Sequence, residues 1–268
     1  MNGIIVAAGL GSRIRPLTDN ISKCMLPVKG RTLLEWNMER MRLAGCDNII
    51  VILGHKSDAV ESGDAIRILN KDYMNNNILH SLMYARDYLQ GEVMISYCDI
   101  WVESHVYEKL AAAKESIEIV VDTNWQDYYI GRTEHPIGEA ENVFYDNNSR
   151  VAEIGKHLEP DNKKKMMCGE FPGLWYMNSI GTEYFCNVFD DINRKISGNE
   201  PFQNAKEWRR SYITDLFQEI IDRGFQVNCT TIEKSWAEID TVQDYERLMK
   251  ITNQQRLLSL CETKEHHD

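Results

Sequence analysis

Apolar and polar positions in the first half of this chain repeat with two alternating periods. Gly3-Ile4-Ile5-Val6-Ala7-Ala8 is an unbroken apolar, β-branched run that stops at a glycine loop, which reads as a buried strand. Thr32-Leu33-Leu34-Glu35-Trp36-Asn37-Met38-Glu39-Arg40-Met41 carries helical spacing and ends near Gly45, and Asn48 to Gly54 is a second buried strand. Strand, helix, strand predicts a right-handed parallel crossover. Ala65 to Leu69 predicts a third strand, Ile78 to Leu89 a helix behind the polar Asn75-Asn76-Asn77 turn, and Glu92 to Cys98 a further strand. Repeated βα units predict an α/β fold: a mostly parallel mixed sheet with helices on both faces and ligands at the carboxyl ends of its strands.

The pattern then changes. Ile117 to Asp122, Glu141 to Tyr145, Arg150 to Gly155 and Glu170 to Met177 read as strands with little helix between them. They predict a small β-rich lid or extension over the substrate, around residues 122–178. Helices return at Gly181 to Ile196 and Tyr212 to Arg223, followed by a strand, Gln226 to Ile232, and a closing helix from Val242. The expected organisation is one catalytic domain over residues 1–250, then a C-terminal helix and tail over 251–268 that frays at Lys264 to Asp268. Lys163-Lys164-Lys165 reads as a solvated loop.

The glycine loop carries the first candidate chemistry. Gly9-Leu10-Gly11-Ser12-Arg13 lacks the Gly-Lys-Ser/Thr of a P-loop, and Ile14 stands where a dinucleotide fingerprint needs its third glycine. Two glycines at a strand end still let backbone N–H groups approach a triphosphate closely. Arg13 adds a planar fork for phosphate oxygens, and Lys23 a mobile point charge. A turn that merely reverses the chain is the alternative. Arg13, Pro16-Leu17-Thr18 and Lys23 following in one short loop weigh against it.

With 268 residues, 43% apolar and 26% charged, the chain is long enough for one large domain with a substantial core. Its net charge of -11 argues against broad nucleic-acid binding while leaving room for a small anion in a local basic pocket. Seven cysteines without any Cys-x-x-Cys spacing suit reduced thiols of a cytoplasmic protein, most of them small core residues. The N-terminal apolar run is too short for a signal peptide and no window reaches the length of a membrane span. The composition is compatible with a homo-oligomer.

Asp99 follows the apolar run Val93-Met94-Ile95-Ser96-Tyr97-Cys98, so its carboxylate emerges at the sheet edge where a triphosphate would lie. Mg²⁺ asks for such hard oxygen ligands. Asp240, in Trp236-Ala237-Glu238-Ile239-Asp240-Thr241, again sits between a strand and a helix and is its candidate partner. A single aspartate there is more often a helix cap. Two, beside a phosphate loop, favour a metal.

Ala7-Ala8-Gly9-Leu10-Gly11-Ser12-Arg13 followed by Ser22-Lys23 resembles the GT-A-like sugar-nucleotide and cytidylyltransferase superfamily of nucleotidyltransferases, which carries Pro-Lys at the second place. Asn75-Asn76-Asn77-Ile78-Leu79-His80-Ser81-Leu82 with Ala85-Arg86 resembles the phosphocholine and 2-aminoethylphosphonate cytidylyltransferase branch. Ser96-Tyr97-Cys98-Asp99-Ile100, Asp122 with Trp125, Gly131-Arg132, Glu139-Ala140-Glu141, Ile154-Gly155-Lys156 and the segment at Trp236 do so too, in order along nearly the whole chain. The resemblance implies a Rossmann-like GT-A fold and Mg²⁺ on Asp99 and Asp240, with Glu238 as a secondary candidate for the ion or its waters. It also implies Arg13, Lys23 and Lys156 as catalytic cations, though an ordinary surface lysine describes Lys156 equally well. The nucleotide would lie on Ala7, Ala8, Gly9, Leu10, Gly11 and Ser12, with Asn76, Asn77, Ser81 and Tyr97 toward the base; helix capping by Asn77 is compatible with this.

The implied reaction is attack of a phosphate or phosphonate oxygen on the α-phosphorus of CTP with release of pyrophosphate. Such a nucleophile is already anionic and needs no general base; alignment and charge neutralisation suffice. For the acceptor, Trp125, Tyr128, Tyr129, Trp175, Tyr176 and Trp236 offer rings for a quaternary ammonium, and Asp122 or Glu170 a carboxylate for a primary amine. Arg132 and His135 suggest contact with an acidic acceptor. Phosphocholine, 2-aminoethylphosphonate and amino-acid-derived compounds all remain open. A sugar-1-phosphate nucleotidyltransferase using UTP or dTTP is the alternative enzyme, and a catalytically silent nucleotide-sensing subunit the alternative of another class. The latter would be expected to lose Asp99 and Asp240.

Overall fold

The structure, a computed structural model, describes residues 1–158 and 166–251. Strand β1 (Asn2–Ala7) enters the glycine loop, and a short hairpin of β2 (Pro27–Val28) and β3 (Arg31–Thr32) leads into helix α1 (Leu33–Leu43). Strands β4 (Asn48–Leu53) and β5 (Ile66–Leu69) precede α2 (Ile78–Leu82), β6 (Val93–Tyr97), β7 (Ile100–Val102), α3 (Ser104–Ala111) and β8 (Ile117–Asp122). After α4 (Trp125–Tyr128) come β9 (Glu141–Tyr145), β10 (Val151–Lys156), β11 (Met167–Glu170) and β12 (Leu174–Met177). Helices α5 (Ser179–Lys195) and α6 (Ile213–Asp222) then lead to β13 (Asn228–Ile232) and β14 (Trp236–Glu238), and residues 242–251 are helical.

One large sheet runs in the order β10-β9-β11-β8-β12-β6-β1-β4-β5, with β13 paired to β8. It is parallel through β5, β4, β1 and β6, as crossover connections require, and antiparallel from β12 outward to β10. The β-rich stretch expected around residues 122–178 is thus continuous with the central sheet. Side chains of β1 alternate between two cores. Ile4 and Val6 pack with Ile95, Trp175 and Phe217 on one face, and Ile5 and Ala7 with Met94, Val106 and Tyr107 on the other. Burial on both faces explains why the strand reads as a continuous apolar run.

Helix α1 begins where its sequence says it should. Thr32 and Glu35 form a reciprocal capping box, the Thr32 hydroxyl accepting from the Glu35 N–H at 3.1 Å. The helix expected over Ile78 to Leu89 departs from a regular α-helix. Beyond Leu82 the chain tightens into a 3₁₀ segment, Met83–Tyr88, with Ala85 out of helical geometry. Leu79, Leu82 and Ala85, all fully buried, recur every third residue, the period of a 3₁₀-helix. The single strand expected over Glu170 to Met177 is two strands. Pro172 has no N–H for a ladder, and Gly173 has φ +91 with its Cα so near the Tyr97 ring that a Cβ would lie 2.2 Å away.

Six elements have no counterpart in the sequence reading: β2, β3, α3, α4, β7 and β14. β7 and β14 pair antiparallel, Glu238 opposite Ile100, and the Ile239 N–H donates to the Asp99 carbonyl at 2.9 Å. This small ladder draws two distant loops to one place. Lys163-Lys164-Lys165, Lys264 to Asp268 and the rest of the C-terminal tail lie outside the described residues. Among the described residues, no helix is long and apolar enough to cross a membrane.

Candidate active site

Parallel pairing of β1 with β6 sets Val6 opposite Tyr97, so the glycine loop and Asp99 leave the sheet side by side. Gly11 takes the left-handed conformation, φ 60 and ψ 33, and the Thr18 hydroxyl donates to its carbonyl at 2.9 Å, closing the loop. Gly54 packs beneath it, where a Cβ would stand 2.6 Å from the Ala8 carbonyl oxygen. The loop forms one wall of a cavity of about 350 Å³, a volume suited to a nucleotide-sized ligand.

At the loop's mouth Lys23 Nζ donates to Asp99 at 2.8 Å and to Asp240 at 2.5 Å, while Arg13 donates to the other Asp240 oxygen at 2.6 Å. Residues far apart in sequence therefore meet at one point. Burial would lower the Lys23 ammonium, but Asp99 and Asp240 outweigh it and hold its pKa above the usual lysine range. Burial acts on Asp240 in the opposite sense and is overridden by Lys23 and Arg13, leaving its carboxyl below the usual carboxylate range. Glu238 is raised well above its ordinary value by burial and by Asp240, against the pull of Arg132. Asp99, Asp240 and Glu238 thus gather hard oxygen donors at one place, the kind of ligand a divalent cation takes, and burial keeps Glu238 protonated in the cation's absence. His135 Nδ1 lies 3.4 Å from Asp240, and His135, Glu238 and Asp240 present ligand atoms within 4.8 Å of one another. Burial and the Arg132 charge push the His135 imidazole down to about 4, so it is neutral near pH 7.

The same cavity receives Asn76, Asn77, Ser81 and Tyr97. The Asn70 amide donates to Ser81 Oγ at 2.8 Å and to Asn76 Oδ1 at 3.0 Å, fixing a polar wall of amide and hydroxyl groups. Asn77 is the N-cap residue of α2, yet its side chain makes no capping bond and donates instead to the Arg210 carbonyl at 3.0 Å. Lys156, at the end of β10, lines the cavity too. It donates to Glu139 at 3.2 Å and stands 4.9 Å from the centroid of the Tyr212 ring. Its pKa is raised by Glu141, Tyr212 and Glu139 against the lowering effect of burial.

Of the expected acceptor residues, Tyr129, His135, Glu170 and Trp236 line the cavity and the others do not. Trp175 is fully buried in the core between Phe171 and Phe217, because it projects from the central strand β12. Asp122 is closed off by the Trp236 indole N–H at 2.9 Å and the backbone N–H groups of Asn124 and Lys234. Trp125 stands behind Tyr129, ring edge to face at 6.1 Å. Arg132 does not contact the cavity; its charge is taken up internally by Asp244 and Glu238. Sequence reasoning missed Glu139 and Glu141 as cavity residues; Glu139 ends a 3₁₀ turn, Ile137–Glu139, and Glu141 begins β9, so no strand alternation links them. Glu170 accepts from the Tyr129 hydroxyl at 2.5 Å through one oxygen, while its second oxygen is buried without a partner. Burial pushes its carboxyl up to about 8, with the Tyr129 bond acting in the other direction, and burial pushes Glu141 up to about 7.

A parallel sheet edge, a glycine loop, converging cations and paired carboxylates define a nucleotidyltransferase. The chain belongs to the MobA-like NTP transferase domain family, which it matches over residues 3–167. It is 27% identical over 257 residues to the CTP:phosphoglutamine cytidylyltransferase of Campylobacter jejuni, covering 92% of this chain and 98% of that protein. It is 43% identical to a low-salt glycan biosynthesis nucleotidyltransferase of Haloferax volcanii over 91% of this chain, spanning 64% of that longer protein. In fold it is similar to the CTP:phosphocholine cytidylyltransferase of Streptococcus pneumoniae, with a TM-score of 0.69 at 20% identity over 94% of this chain and 98% of that one.

Proposed function

We propose that this nucleotidyltransferase is a Mg²⁺-dependent cytidylyltransferase that moves CMP from CTP to a small phosphorylated or phosphonate acceptor and releases pyrophosphate. The observation that carries the reading is the Lys23 ammonium held between Asp99 and Asp240 at the mouth of the glycine loop. The end-to-end similarity to a CTP:phosphoglutamine cytidylyltransferase supports CTP as the donor.

In this reading the amides of the glycine loop and the Arg13 guanidinium cradle the triphosphate, and Asn76 and Ser81 face the base. Asp99 and Asp240 would hold Mg²⁺, which supplies charge neutralisation along the triphosphate when bound. Lys23 and Lys156 offset the charge that gathers as the acceptor oxygen attacks and pyrophosphate leaves. No base is required, because the acceptor oxygen is already anionic. The buried, half-satisfied Glu170 carboxyl and the nearby Glu141 favour an acceptor with an amine at its far end, Tyr129 and Trp236 forming the walls around it.

The similarity to a glycan-biosynthesis nucleotidyltransferase favours sugar-1-phosphate transfer as the second reading. Pyrophosphate release measured with CTP, UTP, ATP and dTTP against phosphocholine, 2-aminoethylphosphonate, an amino-acid-derived phosphate and glucose-1-phosphate separates the two. Turnover is expected with CTP and an amine-bearing acceptor. Strict use of UTP or dTTP with the sugar phosphate would overturn the cytidylyltransferase assignment.

A further inference from the structure

The side chain of Arg132 is wholly buried and lies between Tyr128 and Tyr129, 4.8 and 5.0 Å from their ring centroids. Its Nε and Nη2 donate to the two oxygens of Asp244 at 2.6 and 3.0 Å, and Nη2 also donates to Glu238 at 2.8 Å. Asp244 in turn accepts from the backbone N–H groups of Asp240 at 3.2 Å and Thr241 at 2.9 Å. Thr241 Oγ1 accepts the N–H of Asp244 at 3.2 Å. One guanidinium thereby fixes the chain on both sides of Asp240. His135 Nδ1, 3.1 Å from Arg132 Nη2, fills the space between this pair and the Asp240 carboxylate.

We infer that Arg132 and Asp244 form a positioning pair that sets the Asp240 carboxylate for a divalent cation, an inference that rests on the metal reading above. The Asp240 side chain also answers to Arg13 and Lys23, and a carboxylate pulled by two cations turns away from a metal unless its backbone is held. The bidentate grip of Arg132 on Asp244 supplies that hold, because a planar fork on a carboxylate admits little rotation. It spans the Tyr128–His135 segment, whose Tyr129 faces the cavity, and the loop carrying Asp240. Tyr128 reinforces the junction: its hydroxyl both accepts the Glu238 N–H and donates to the Glu238 carbonyl, each at 2.9 Å.

Electrostatics alone and positioning predict opposite signs. Removing a positive charge beside the site would tighten a bound cation, whereas losing the support of a ligand loosens it by about ten- to a hundredfold. Mn²⁺ titrated into the full-length protein without nucleotide or acceptor, with free Mn²⁺ read by electron paramagnetic resonance, measures this apart from turnover. Arg132→Gln is expected to weaken Mn²⁺ by about ten- to a hundredfold, and the charge-preserving Arg132→Lys by about tenfold. Circular dichroism identifies which variants are folded, and Arg132→Lys decides if Arg132→Gln is not. Unchanged or tighter binding in a folded variant overturns the inference alone. Failure of the wild-type protein to bind Mn²⁺ overturns the metal reading, and the inference with it.

Discussion

Glu170→Gln isolates the energetic cost of the carboxyl at the far end of the cavity. In the folded protein burial pushes this group up to about 8, although the Tyr129 hydroxyl donates to it at 2.5 Å. A carboxyl raised on folding keeps its proton in the native state at a pH where the unfolded chain has released it. Stability is therefore lost as pH climbs from about 4.5 to about 8 and levels off above that. The shift corresponds to about 4 to 5 kcal/mol as an upper bound at 1.36 kcal/mol per unit, and relaxation around the charged form leaves about 2 to 4 kcal/mol to be observed. Glutamine keeps the oxygen that accepts from Tyr129 and never ionises. At pH 5 the variant and the wild-type protein are expected to unfold within about 1 kcal/mol of each other, since both carry a neutral group there. At pH 9 the variant is expected to be the more stable by about 2 to 4 kcal/mol. Urea unfolding followed by tryptophan fluorescence at pH 5, 7 and 9 gives the difference directly, and the decline contributed by Glu141 and Glu238 cancels because both proteins share it. A difference that stays constant with pH, or a variant weaker than wild type at pH 9, would refute the placement of an ionisable, uncompensated carboxyl in that wall.

Lys23→Met is expected to cut pyrophosphate release by about 10²- to 10³-fold and to destabilise the protein by about 3 to 5 kcal/mol, because it leaves Asp99 and Asp240 without their shared ammonium. Thermal unfolding with and without Mg²⁺ checks the second part: the ion should raise the midpoint more in the variant than in the wild type, and an equal rise would separate the metal from these carboxylates. Gly54→Ala would put a methyl group 2.6 Å from the Ala8 carbonyl oxygen and 2.8 Å from Tyr73 Cβ, displacing the glycine loop from below. Steady-state kinetics should register this as a rise of about tenfold or more in the nucleotide KM, equivalent to about 1.4 kcal/mol of binding; an unchanged KM would mean that the loop does not seat the nucleotide.

Most of the βα half was legible because its signals are local. β1 and β4 are apolar runs ending in glycine, and Thr32 with Glu35 marks a helix start that tertiary contacts do not override. The limits of legibility are just as physical. Leu79, Leu82 and Ala85 satisfy both a helical stripe and a 3₁₀ period, and the chain follows the first up to Leu82 and the second beyond it. Pairing of β7 with β14 joins Ile100 to Glu238 across more than half the chain, so three-residue strands with such distant partners leave no periodic trace. Aromatic residues were the least informative class. Tyr129 and Trp175 look alike in sequence, but the sheet buries one between two phenylalanines and leaves the other at the cavity. Arg132 read as an exposed contact because its partner Asp244 is 112 residues away, and no spacing rule links them.

Charge balance ties these observations together. A pocket for a triphosphate and a second phosphate would be expected to gather cations, yet this one holds Arg13, Lys23 and Lys156 against Asp99, Glu139, Glu141, Glu170, Glu238 and Asp240. The cations stand at the glycine loop and at the end of β10, and each already touches an acid. On the proposed reaction such pairs would keep the arginine and lysines oriented before substrate arrives, which would lower the cost of ordering them in the transition state. The acids in excess of these pairs, Glu141, Glu170 and Glu238, are all pushed toward the protonated form, first of all by burial. On the proposed reaction that excess falls in two places with two different remedies. Beside the loop, a divalent cation held by Asp99 and Asp240 would take the place of the proton on Glu238. At the far wall, Glu141 and Glu170 avoid the cost by holding protons near neutral pH, and would ionise when an ammonium group approaches. An acceptor without a positive charge would gain nothing from that second group, so discrimination between amine-bearing and neutral phosphates is the property in which the far wall should matter most.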